Sequence, residues 1–238
     1  MAEPGKTKRP MSALVRRDGA LCLTFVNTDA GGRQPIGDYA GLVAWGRRHG
    51  ALTAAEAGHL EGLAVRRPEH ASAAFSAAEE LRALLAQIMN ALADGERPPG
   101  EAIESLSAHL LHTVPPYRIV PTEGGFGLGW AAGREDDLGR PLWRLVQSAA
   151  DVVTSRVRGR VVRCAGEGCG LLFLAFNQGW PRKWCDMKAC GNRVKALRRY
   201  HDHVKPYRQE VKREAEKAVL ERARERVARA RQAPSGRS

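Results

Sequence analysis

The chain has 238 residues with 43% apolar and 27% charged side chains, a composition that excludes both a membrane-embedded protein and a disordered one. Its net charge of +12 is confined to one end: residues 1–159 carry equal numbers of basic and acidic side chains, whereas residues 160–238 hold 20 basic against 8 acidic. A neutral domain followed by a strongly basic segment is the electrostatic pattern of a protein that meets a polyanion, because each phosphate contact releases condensed counterions.

Lys6, Lys8, Arg9, Arg16, Arg17 and Asp18 place charges throughout residues 1–19, so this stretch reads as a basic tail rather than a signal peptide. No apolar run approaches the ~20 residues of a membrane helix, and the expectation is a cytoplasmic protein that makes no membrane contact. Ala20–Thr28 reads as a short apolar strand with Cys22 as a buried thiol, followed by a turn at Asp29–Gly32. Helical patterns come next. Asp38 can cap a helix through Trp45 that ends at Gly50, and Thr53 with Glu56 forms a capping box before Leu60 and Leu63. Phe75, Ala78, Leu81, Leu85, Ile88 and Leu92 then recur at helical spacing up to Gly95. Ile103, Leu106 and Leu110 mark a further helix, on which His109 and His112 read as surface or cap residues. Tyr117–Val120 and Phe126–Ala132 flank Glu123-Gly124-Gly125 as a hairpin, and Leu142 to Val153 forms the last helix of the neutral region.

Four of the five cysteines stand as Cys164-x4-Cys169 and Cys185-x4-Cys190, with fifteen residues between the pairs. Two close pairs brought back by a short loop suit a tetrahedral Zn(Cys)4 site, with iron the rarer alternative and disulfides disfavoured in a reducing compartment. Between the pairs, Leu171–Phe176 and Arg182–Trp184 read as two strands around Asn177-Gln178-Gly179. Val194, Leu197, His201 and Val204 then show helical spacing, which places Cys185 and Cys190 at or just before a helix N-terminus. Knuckle, hairpin and helix is the order of a treble-clef finger.

The segment from Trp184 through Cys190-Gly191-Asn192-Arg193 to Lys195 resembles the CGNR zinc finger, named for those four residues. In that family the finger follows a helical ABATE domain described as a stress-induced transcription regulator, and Leu21–Thr28 resembles the strand that opens such domains. The resemblance implies one zinc ion per chain, DNA binding and transcription control. Thr24 and Ala175 depart from it, since each stands where the family carries Asp. Neither is a zinc ligand, although Thr24 removes a carboxylate from any ligand-binding role of the first strand.

A Zn(Cys)4 centre carries a net charge of −2, so Arg193 and Lys195 have two readings: they offset the thiolates or they face phosphates and bases. Gly191 is read as permitting close backbone approach, Asn192 as bracing the knuckle and Trp184 as supporting it. Lys195, Arg198 and Arg199 lie opposite the apolar positions of the finger helix, giving it a basic face of a size that fits the DNA major groove. Pro206 is expected to break or kink this helix, and Tyr207–Gln232 to continue as a basic arm whose Arg208, Lys212 and Arg213, with Lys205 before it, reach the nucleic-acid backbone. Gly127–Ala132 matches a G-x-G-x-x-A string but belongs to the hairpin, and no nucleophile elbow, P-loop or zinc-protease motif supports an enzyme.

The sequence thus predicts a mainly α protein with a small sheet, divided into a tail (1–19), an ABATE-like helical domain (20–159), a CGNR-type finger (160–205) and a basic helical arm (206–238). Its expected function is DNA-binding regulation of transcription, the N-terminal domain acting either as sensor of a small-molecule effector or as a homodimerisation unit. An RNA- or ribosome-associated zinc protein is the first alternative. A protein-interaction module with a purely structural zinc is the second.

Overall fold

A computed structural model describes residues 15–16, 19–30, 36–115, 117–122, 124–130, 133–176 and 182–232. The predicted turn at Asn177–Gly179 and most of the tail lie outside them. A two-residue antiparallel pair, β1 (Val15–Arg16) and β2 (Gly19–Ala20), leads into α1 (Leu21–Val26) and a 3-10 turn (Asn27–Asp29). Then follow α2 (Tyr39–His49), α3 (Ala54–Arg66), α4 (Pro68–Ala93) and α5 (Gly100–His112). The hairpin β3 (Tyr117–Thr122) and β4 (Gly125–Trp130) precedes α6 (Arg140–Thr154). A 3-10 turn (Arg156–Arg160) enters a second hairpin, β5 (Val161–Arg163) with β6 (Leu172–Leu174). The C-terminal region holds α7 (Asn192–Arg199) and α8 (Lys205–Gln232).

The first predicted strand is a helix. In α1, Leu21, Cys22, Leu23, Phe25 and Val26 are all buried, so this short element is enclosed by neighbours rather than exposed on alternate sides. It packs against α4 and α6, with the Phe25 and Trp45 rings 5.1 Å apart. An apolar run of six residues has no period that separates a buried strand from a buried helix, and tertiary enclosure decides the matter here. Thr24 is turned inward on the helix itself, its hydroxyl donating to the Ala20 carbonyl at 3.2 Å. Cys22 receives a different kind of shelter. Its N–H donates to Ser148 Oγ at 3.2 Å, and burial pushes its thiol up to about 12, which leaves it protonated and inert.

The caps read from the sequence form as expected. Asp38 accepts from the Gly41 N–H at 2.7 Å, Gly50 closes α2 in the left-handed region at φ 76°, and Thr53 and Glu56 exchange both bonds of the capping box. Glu56 also receives Arg140 Nε at 3.1 Å, tying α3 to the start of α6. Burial raises the Glu56 pKa, but its bonds from Thr53 and Arg140 outweigh that and hold it below the ordinary value of 4.5. Because the carboxyl ionises more readily in the fold than in the unfolded chain, the pair stabilises fully above about pH 4.5 and loses that contribution as pH falls through the depressed value. Replacing Arg140 by Met is expected to cost about 2 kcal/mol near neutrality and progressively less in acid. Thermal unfolding of both proteins from about pH 7 down to pH 3 checks this.

The second hairpin differs from the predicted one. Among the described residues Arg182–Trp184 forms no strand; β6 instead pairs with β5, in register Val161 with Leu174 and Arg163 with Leu172. The Cys164 N–H continues the ladder to the Leu171 carbonyl at 2.8 Å, so the loop carrying Cys164 and Cys169 itself closes the hairpin. Val161, Leu172 and Leu174 enter the same apolar core as Leu81, Leu85 and Ile88 of α4. Packing accordingly divides the chain into residues 1–185 and 186–238, placing the first half of the predicted finger with the helical domain. Asn27 fastens this junction: its amide donates to the Leu172 carbonyl at 2.8 Å and accepts from the Leu172 N–H at 2.9 Å.

Pro206 does not break the C-terminal helix. The backbone runs from a π-helical turn (Met187–Gly191) through α7, a second π-helical turn (Tyr200–Val204) and α8, with Pro206 as the second residue of the last segment. A π-turn inserts a residue into the ladder, and the wider turn directly before Pro206 accommodates a ring that would clash in a regular helix interior. No helix among the described residues is long and apolar enough to cross a membrane.

Candidate metal centre and basic helix

The sulfur atoms of Cys164, Cys169, Cys185 and Cys190 lie within 4.8 Å of one another, and none is in a disulfide. Cys169 Sγ and Cys185 Sγ are 3.6 Å apart. A tetrahedral zinc with Zn–S of about 2.3 Å needs S–S edges of about 3.8 Å, so the donor set fits the ion in both chemistry and spacing.

The first pair sits on a tight knuckle. Gly168 and Gly170 flank Cys169 at φ 68° and 65°, left-handed conformations that glycine adopts without a Cβ penalty. The Cys169 N–H donates to the Gly166 carbonyl at 3.0 Å, and the Ala165 N–H reaches the Lys183 carbonyl at 2.9 Å, drawing the segment before Cys185 back against the knuckle. Two further N–H groups point at sulfur: Gly166 and Cys185 donate to Cys164 Sγ at 3.4 and 3.3 Å. Burial pushes the Cys164 thiol up, but the Cys185 and Gly166 N–H groups, helped by the Cys169 and Cys185 side chains, prevail and bring it from 9.0 to about 7. Such a sulfur is poised to bind as thiolate.

The second pair straddles a helix start. Asp186 caps it, its carboxylate accepting from the Ala189 N–H at 2.7 Å and its carbonyl from the Gly191 N–H at 3.0 Å, so Cys185 precedes the cap and Cys190 lies in the first turn. Arg193 Nη2 stands 3.6 Å from Cys190 Sγ, a cation beside one of the four sulfurs. This geometry supports the charge-offsetting reading of Arg193. Trp184 is half-buried, and its indole N–H meets no acceptor among the described residues. Beside it Arg182 donates to the Trp184 carbonyl at 2.7 Å and lies 4.7 Å above the Phe173 ring, a cation–π contact that sequence patterning gave no sign of.

Gly191 is buried at ordinary helical angles, φ −62°, and an added Cβ would meet Met187 Sδ at 2.4 Å. The obstruction is the end of a flexible side chain that is 52% exposed. Gly191→Ala is therefore expected to be near neutral alone and stabilising by about 0.5–1 kcal/mol in a Met187→Ala background, as helix propensity then acts unopposed. Thermal unfolding of the four proteins of this cycle tests the expectation.

Asn192, Arg193, Lys195, Arg198, Arg199, Lys205, Arg208, Lys212 and Arg213 are all exposed. Lys195, Arg198 and Arg199 share one side of α7 by their spacing, and Lys205, Arg208 and Lys212 form a second row on α8, with Arg213 beside it. Lys212 makes only a 3.8 Å contact with Glu216. The apolar side of α7 is less covered than the periodicity implies: Val194 and Val204 are half-buried, but Leu197 remains 41% exposed and His201 is exposed.

Comparison with known families agrees with the two parts of the sequence. The ABATE family model, described as "Putative stress-induced transcription regulator", matches residues 19–156, and the CGNR zinc finger model matches residues 160–203. These descriptions are of a regulator and a zinc-binding module, not of an enzyme. No curated protein matches the chain.

Proposed function

We propose, from the fact that this chain belongs to the ABATE family and carries a CGNR zinc finger, that it is a DNA-binding regulator of transcription. One zinc ion held by Cys164, Cys169, Cys185 and Cys190 fixes the start of a helix, and the basic rows of that helix are its contact with duplex DNA. The observation that carries this reading is the continuous run from Met187 to Gln232, whose first turn contains Cys190 and which presents Lys195, Arg198, Arg199, Lys205, Arg208, Lys212 and Arg213 to solvent. A helix of this width enters the major groove, and exposed cations along it take phosphates.

In this account Arg193 serves first as counter-charge to Cys190, and Asn192 and Gly191 belong to the helix start. The N-terminal domain is the input, sensing a small molecule and passing its state to the finger. Zinc supplies folding free energy here and no chemistry on a substrate.

A competition assay tests the partner. The zinc-loaded chain on a labelled duplex of mixed sequence is challenged with unlabelled duplex and with a structured RNA of equal length. Displacement by duplex at a concentration at least about tenfold lower than by RNA is the expected result. Equal or better displacement by the A-form RNA favours an RNA-associated role, and failure to bind either points to a protein-interaction module.

A further inference from the structure

A cavity of about 290 Å³ opens within residues 1–185, between the end of α1, the middle of α4 and the β5–β6 hairpin. Its polar lining includes Asn27, Asp29, Glu79, Arg82, Asn90 and Arg163, and its apolar lining includes Val26, Ala83, Ala86 and Leu172. That volume is at the small end of metabolite sites, which run from ~300 Å³ upward.

The cations of this lining are not equivalent. Arg163 is fully engaged, with both Asp94 carboxylate oxygens on Nη2 at 3.0 Å and Asn90 Oδ1 on Nη1 at 2.8 Å. Arg82 is the more enclosed of the two, its side chain only 13% exposed, yet its ion pair with Glu79 Oε1 is stretched to 3.5 Å. A guanidinium carries five donors in a planar fork, and holding one out of water without close acceptors is costly. Of the anionic groups in the lining, Glu79 is half exposed and meets only Arg82 at that distance, and Asp29 is exposed with no hydrogen bond or ion pair among the described residues. Among the described residues, the cavity thus holds a guanidinium whose one ion pair is long, that partner carboxylate, and the carboxylate of Asp29.

We infer that this cavity binds a free α-amino acid, its carboxylate on Arg82, its ammonium between Asp29 and Glu79, and its side chain over Ala83 and Ala86. The inference rests on the sensor reading of the N-terminal domain only for its consequence, not for the site itself. That consequence follows from position. The cavity is bounded by Asn27 and Leu172, which clasp each other through two hydrogen bonds, and Gly170, the residue after the zinc ligand Cys169, lines it as well. An occupant bears directly on the strand that leaves the knuckle. A ligand that binds two arrangements of this junction unequally shifts the finger by that difference.

The test is isothermal titration of the zinc-loaded full chain with each of the twenty amino acids, followed by the deaminated and decarboxylated analogues of any that bind. For leucine these are 4-methylpentanoate and 3-methylbutylamine. At least one amino acid is expected to bind, with either analogue weaker by about tenfold or more. Arg82→Gln should weaken it by about ten- to a hundredfold, and the exposed Asp29→Asn by about fivefold or more, with zinc content and circular dichroism unchanged. Arg82→Lys, which keeps the charge but not the fork, should recover only part of the loss. Should Arg82→Gln fail to fold, the Asp29→Asn protein and the analogue series still decide. Absence of binding by all twenty, or binding indifferent to Asp29→Asn and to removal of the amine, overturns the site. DNA affinity measured with and without the bound amino acid is a separate reading: an unchanged value overturns the sensor role while the site stands.

Discussion

A Cys185→Ser chain is expected to purify without zinc and to lose the ordered structure of residues 160–176 and 182–200. Structural zinc supplies folding free energy on the order of 10 kcal/mol in small fingers, far more than the hydrogen bonds around this knuckle can replace. The loss should also reach the helical domain, because Leu172 and Leu174 fill the same core as α4 and because Asn27 then loses both of its partners on Leu172. Two measurements follow it: metal content by elemental analysis, and amide hydrogen exchange across β5, β6 and α1. Exchange should accelerate in β5 and β6 most and in α1 measurably, whereas α3, at the far side of the capping-box contact with α6, should change least. A full zinc complement in the variant, or unchanged exchange in β5 and β6, contradicts the assignment.

The second large effect is electrostatic. Replacing Arg198, Arg199, Lys205 and Arg208 together by Ala should flatten the salt dependence of DNA binding, since each lost phosphate contact removes about 0.9 from the slope of log K against log salt. If all four touch phosphate, the slope falls by about 3.6 and affinity at low salt drops by several orders of magnitude. The fold should not change, because all four side chains are exposed. Arg193→Ala is expected to behave differently, weakening zinc retention with little change of slope, because its guanidinium stands beside Cys190 Sγ. The two variants therefore separate cations that hold the metal from cations that hold the polyanion, measured by anisotropy of a labelled duplex across salt concentrations and by zinc release to a chelator.

The four-cysteine cluster was legible because spacing alone constrains a tetrahedral site: four cysteines in two pairs leave few other arrangements, and all four converge. The helices of the first domain were legible for a similar reason, as Asp38, Gly50, Thr53 and Glu56 act on local backbone groups that neighbours in sequence supply. Elements decided by distant neighbours were not. Leu21–Val26 is a helix because α4 and α6 enclose it, and β6 pairs with β5 because the knuckle between them turns the chain tightly, a fact carried by the left-handed Gly168 and Gly170 rather than by any apolar alternation. The clasp between Asn27 and Leu172, 145 residues apart in sequence, has no local signature. Pro206 shows the reverse case: a strong local breaker whose effect is absorbed by a π-turn directly before it.

Whether a zinc-held basic helix reads duplex DNA is decided by selection from a random duplex pool by the zinc-loaded chain, run beside the same chain stripped of metal. Successive rounds are expected to enrich a shared sequence with the zinc-loaded protein, and the stripped protein to retain only salt-sensitive, sequence-indifferent binding. A pool that stays random with zinc bound, or one that enriches equally without it, would contradict this reading.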